Sequence, residues 1–175
     1  LTLGQPQQSH GCTCGNYGDD WGWIYVTADN PWGFAEGIVH ETGHWKLRAF
    51  GVWFEEWTPF LLQNKLEDRY ISPVRKDMPR PMGAVLHAQY SYVHVAKMCT
   101  EMLRATAVPE AQDVDWTALQ LRRIAEGQAT LQEHAVGTPG VGAEFLAGFY
   151  DWTEEVMQDG HAVVEAARGR VGGGA

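Results

Sequence analysis

The string His40-Glu41-Thr42-Gly43-His44 constrains this chain more than any other stretch. Residues four apart on an α-helix lie one turn apart on one face, so the two imidazoles can converge on a single ion only if the segment is helical. Glu41 then projects near that ion without having to ligate it; in metallohydrolases a carboxylate so placed holds and deprotonates a metal-bound water. The motif predicts a helix carrying a catalytic transition metal on His40 and His44. The plain alternative is a surface helix with two solvated histidines. Flanking residues favour the helix. WGWIYVT, residues 21–27, is aromatic and β-branched between turn residues and predicts a short strand. Asp29-Asn30-Pro31 supplies a capping side chain and a first-turn proline. From Trp32 to Phe50 the pattern is helical, with Phe34, Ile38, Leu47 and Phe50 expected to face the interior.

Further along, the periodicity predicts more helices. One runs from about Val52 to Tyr70, bent or restarted at Pro59. SPVRKDMPRP, residues 72–81, has three prolines and cannot be regular. A long helix follows over residues 82–106, with Val85, Ala88, Tyr92, Val95, Ala96, Cys99 and Leu103 near helical spacing. Pro109 opens another through about Ala135; GTPGVG breaks it; a last helix covers about Ala143 to Arg168, interrupted near Gly160. No repeat or linker divides the chain. The expected fold is α+β, mainly α: a helical single domain over residues 1–175 with a short strand component at its front and the HExxH metal helix inside it. The chain opens on Leu1 rather than Met, as either a trimmed chain or the tail of a longer polypeptide would.

Composition excludes some partners. With 22 acidic against 13 basic residues the net charge is -9, which offers no general basic surface to nucleic acid or an anionic membrane. No apolar run approaches the roughly 20 residues that span a bilayer, and LTLGQPQQSHG lacks the basic start and apolar stretch of a secretory signal. Three cysteines make no even disulfide framework, so a cytoplasmic setting is expected. His10-x-Cys12-x-Cys14 lacks the second pair of a structural zinc site and reads as a loop with two thiols.

Two histidines do not hold a catalytic metal alone. Candidates for the third ligand are His87, His94, His134 and His161, with Glu36, Glu55 or Glu101 as carboxylate alternatives. His87 and His94 lie seven residues apart and share a face of the 82–106 helix. His87 is preferred because it sits near the N-terminal end, beside the proline-rich loop, where a cavity would be open. The zinc-protease extensions are missing: no downstream NExxSD-like helix occurs, and Leu47 and Phe50 stand where HExxHxxGxxH needs Gly and His. Of the eight tryptophans, Trp21, Trp23, Trp32, Trp45 and Trp53 lie near the motif. They are expected mostly to build the core, with one or two walling the pocket.

FAEGIVHETGHWKL, residues 34–47, and PRPMGAVLHAQYSYVHVAKM, residues 79–98, resemble the HExxH-motif proteins encoded beside ribosomally made peptide natural products. In that family a VHExxHxKL helix is followed by PRPxxGxLHGxY and a helix. The likeness covers about residues 21–105, with Ala88 where the family has Gly. The resemblance implies iron(II)- and 2-oxoglutarate-dependent β-hydroxylation of a peptide side chain, the substrate being a peptide such as a precursor peptide. By position it implies His40, His44 and His87 as iron ligands, and Arg80 as the grip on the distal 2-oxoglutarate carboxylate. A planar guanidinium between two stiffening prolines suits that task; Arg75 and Lys46 are the other contenders. Two other functions remain open. One is a zinc metallohydrolase or peptidase with Glu41 as general base. The other is a catalytically silent peptide-binding module.

Overall fold

The computed structural model describes residues 14–15, 23–28, 30–54, 59–72 and 76–171. A two-residue strand, β1 (Cys14–Gly15), pairs antiparallel with β2 (Tyr25–Val26), Cys14 opposite Val26. Four helices follow: α1 (Pro31–Ala49), α2 (Met82–Ala105), α3 (Ala111–His134) and α4 (Val141–Arg168). The fold is thus mainly helical, with the small strand pair packed on α1. Helix α2 is central and touches α1, α3 and α4. One apolar cluster joins them, including Leu47 of α1, Leu86 and Leu103 of α2, Leu121 and Ile124 of α3, and Val164 of α4. These side chains bury completely or nearly so, and supply the apolar burial that stabilises the bundle.

Helix α1 begins as its sequence predicts. The Asn30 side chain accepts from the Gly33 N–H, and Pro31 occupies the first turn. Its inward face differs from expectation. Leu47 is buried, but Phe34, Ile38 and Phe50 are exposed. The face toward the bundle carries Gly33, Glu36, Gly37, Glu41, Gly43, His44, Leu47 and Arg48 instead. Hydrophobic periodicity misorients this helix because its buried side is given to polar groups and close approach.

The helix expected from about Val52 to Tyr70 does not form among the described residues of that span, 52–54 and 59–70. Gly51 adopts φ 77°, which ends α1. The chain beyond Pro59 then gives its backbone groups to distant partners: Gln63 N–H donates to Val136 O at 2.7 Å and Thr138 N–H to Leu61 O at 3.0 Å. The Asn64 side chain spans the same join, donating to His134 O and accepting from Val136 N–H. These long-range bonds replace the local ladder a helix would have used. Helix α4 runs unbroken through Gly160, also against expectation. A Cβ there would lie 2.5 Å from Leu121 Cδ2, so the glycine serves close packing and not a break. Of the five tryptophans near the motif, none of those described is fully buried. Trp23 is exposed, Trp32, Trp45 and Trp53 are half-buried, and Trp21 lies outside the described residues.

Candidate metal centre

Helices α1 and α2 approach at Gly43 and Ser91, and this crossing sets the site. Gly43 lies between the two motif histidines of α1, and Ser91 lies between His87 and Tyr92 of α2. The ring of His40 meets Tyr92 edge-on at 5.0 Å, and His44 lies 5.4 Å from His87, centroid to centroid.

His40 Nε2 and His44 Nε2 are 3.0 Å apart. Imidazoles sharing an ion at bonds of about 2.1 Å have nitrogens roughly 3.0 to 3.4 Å apart, between octahedral and tetrahedral angles. The pair is therefore spaced as ligands are. Glu41 is 3% exposed, and its carboxylate lies with ring nitrogens of both histidines in a group whose atoms are all within 4.8 Å of one another. His87 reaches the site from another side. Its Nδ1 is 3.3 Å from His44 Nδ1, and its Nε2 donates to the Val52 carbonyl at 2.8 Å. It stands outside the 4.8 Å group.

Burial keeps these rings neutral. It lowers the pKa of His40 to about 4. His87 is also lowered to about 4, by burial first, with the Val52 bond opposing and the Arg48 charge assisting. His44 falls well below its usual value through burial, then through His40, His87 and Arg48. Neutral imidazole is the form that binds a metal. The Arg48 guanidinium is itself buried, with the rings of Trp45, Phe54 and Trp53 at 4.8, 5.1 and 5.7 Å.

The two motif histidines open onto a cleft of about 210 Å³ that Arg80 also lines. Phe54 and Tyr92 give it aromatic walls, and Ala84 and Ala88 add only methyl groups to its lining. The volume is below the roughly 300–1,000 Å³ of drug-sized pockets, which suits a small occupant or a single side chain. Arg80 is held firmly. It sits between Pro79 and Pro81, and its N–H and C=O exchange hydrogen bonds of 2.9 Å with Tyr70.

The other candidates fall elsewhere. His94 Nδ1 donates to Tyr90 O at 3.0 Å, and its Nε2 meets Lys46 Nζ at 3.1 Å, which also engages Lys46 away from the cleft. His134 stands beside Tyr70 and Glu133, and His161 is exposed on α4. Glu36 accepts from Trp32 Nε1, Trp116 Nε1 and Cys99 Sγ. Glu101 pairs with Arg104 on the surface. Glu55, Arg75, His10 and Cys12 lie outside the described residues. Sequence reading missed the site roles of Phe54, Tyr92 and Gly43. The glycine inside HETGH was the available signal, since a residue without Cβ permits a close helix crossing. No protein-family model, curated protein or solved structure matches the chain.

Proposed function

We propose that this protein is an iron(II)- and 2-oxoglutarate-dependent hydroxylase acting on a peptide side chain, in the maturation of a ribosomally made peptide. The observation that carries the reading is the shared cleft of Arg80 and the His40–His44 pair. Two neutral imidazoles 3.0 Å apart fit the metal as nitrogen donors of the kind non-haem iron uses, and the Glu41 carboxylate stands beside them without having to ligate. When bound, iron and 2-oxoglutarate supply oxygen activation coupled to decarboxylation, giving succinate, carbon dioxide and a hydroxylated C–H bond. The chain's residues bind and orient. His40 and His44 would supply two of the ion's ligands, a third donor being required besides, and Arg80 would offer a planar fork to the free carboxylate of the cosubstrate. Phe54 and Tyr92 limit water in the cleft. The peptide substrate follows from the likeness of residues 34–47 and 79–98 to the peptide-modifying family.

A second reading, a zinc metallohydrolase, is favoured by Glu41, whose buried carboxylate beside both imidazoles suits a general base on metal-bound water. Metal analysis of anaerobically purified protein, followed by assay of succinate formation from 2-oxoglutarate, separates the two. Stoichiometric iron with succinate formation supports the oxygenase. Zinc with no 2-oxoglutarate turnover removes it.

A further inference from the structure

A chain of three imidazoles and one carbonyl crosses the α1–α2 contact. His40 Nε2 is 3.0 Å from His44 Nε2, His44 Nδ1 is 3.3 Å from His87 Nδ1, and His87 Nε2 is 2.8 Å from Val52 O. A carbonyl oxygen only accepts, so His87 carries its proton on Nε2 and keeps a lone pair on Nδ1. A neutral ring meeting that lone pair must donate to it, so His44 carries its proton on Nδ1. The His44 lone pair is then on Nε2, beside His40. One carbonyl thus sets the polarity of the whole chain.

That carbonyl is itself fixed. Gly51 turns the chain at φ 77°, and Val52 N–H returns to Leu47 O at 3.0 Å, closing the end of α1. His87 is 0% exposed and stacks on Phe54 with centroids 4.1 Å apart and planes at 19°. Neither His87 nor its acceptor has room to turn.

We propose that His87 is a positioning residue: it holds His44 by Nδ1–H and keeps the His44 Nε2 lone pair aimed beside His40. This rests on the reading of His40 and His44 as metal ligands. It gives His87 a different task from direct ligation, and agrees with its place outside the group of atoms within 4.8 Å of one another. A ligating histidine commonly donates its second N–H to a fixed acceptor, and removal of that acceptor weakens metal binding by about 10- to 100-fold.

The test has two arms. Long-range ¹H–¹⁵N correlation spectra of the metal-free protein at pH 7 should show His44 as the Nδ1–H tautomer and His87 as the Nε2–H tautomer. The opposite tautomer at either ring overturns the proposal. In zinc titrations against a chromophoric chelator, His87→Ala should weaken binding by about 10- to 100-fold. His87→Asn can present an acceptor oxygen near the place of Nδ1 but is a poor ligand, and should stay within about fivefold of the parent by the same reasoning. If His87→Asn loses as much as His87→Ala while remaining folded, His87 is a ligand and the proposal falls. A parent with the expected tautomers that binds no zinc supports the relay and overturns the metal reading.

Discussion

Gly43 of α1 rests against the backbone of Ser91 in α2, where an added Cβ would come within 2.9 Å of the Ser91 Cα. The neighbour is main chain and cannot swing aside. Gly43→Ala gains about 1 kcal/mol of helix propensity, but overpacking costs about 1–3 kcal/mol. The expected result is net destabilisation together with a tenfold or greater loss of zinc affinity, because the crossing sets where α1 stands against the α2 groups around its histidines. Gly148→Ala is the control. Its Cβ meets nothing within 4 Å on an exposed turn of α4, so it should stabilise by up to about 1 kcal/mol. Chemical denaturation and zinc competition measure both variants; a Gly43→Ala protein binding zinc like the parent would refute the role of the crossing.

How much of this was legible in the sequence depended on how local the cause was. The span of α1 followed from Asn30, Pro31 and the motif spacing, and α2 and α3 from apolar periodicity, all properties of a few neighbouring residues. The sequence singles out Arg80 and the two motif histidines, and the structure places Arg80 in the lining of their cleft. The face of α1 was not legible, because Phe34 and Ile38 mimic a core stripe while the buried side carries Glu36, Glu41 and His44. Nor was the stretch after Gly51, whose conformation depends on bonds from Leu61, Gln63 and Asn64 to residues some seventy positions on. The tautomer proposed for His44 turns on the Val52 carbonyl that His87 meets, and no side-chain pattern reports a backbone group.

The His pair is the simplest target. His40→Ala or His44→Ala should abolish stoichiometric metal binding while circular dichroism stays helical, because the bundle is held mainly by the apolar cluster and neither ring belongs to it. Full metal occupancy by elemental analysis in either variant would eliminate the site.

Glu41 separates the two enzyme readings. A hydrolase needs it as base, so Glu41→Gln should lower turnover by about 10²- to 10⁴-fold with the metal retained. In the oxygenase 2-oxoglutarate can occupy the position of the activated water, and the same change should cost less than about tenfold, through orientation of neighbouring groups. Peptide cleavage that requires Glu41 and ignores 2-oxoglutarate decides for the hydrolase.

Stability of the metal-free protein should depend on pH with a defined sign. Burial lowers His40 and His87 from 6.5 in a free chain to about 4 in the fold. Between those values the unfolded chain binds protons that the folded one refuses, so stability rises with pH there. The contribution is complete above about pH 6.5, is lost as pH falls toward 4, and levels off below that. Urea unfolding in the presence of a chelator from pH 4 to 8 measures it. In His87→Asn the slope should be reduced; an unchanged slope would mean that His87 is protonated alike in both states.

Arg80 tests the cosubstrate. A charge-assisted hydrogen bond contributes about 1.5–3 kcal/mol, so Arg80→Ala should raise the KM for 2-oxoglutarate by about 10- to 100-fold. Iron should still bind, because Arg80 lines the cleft and is not a ligand. Arg80→Lys should recover part of the loss, since an ammonium is a point charge and cannot reproduce the two parallel bonds of a guanidinium. The expected effect is on KM rather than on iron content, which distinguishes a carboxylate grip from general damage to the loop that pairs with Tyr70. Wild-type 2-oxoglutarate dependence in Arg80→Ala would take Arg80 out of the site, and no 2-oxoglutarate dependence in the parent would remove the oxygenase reading itself.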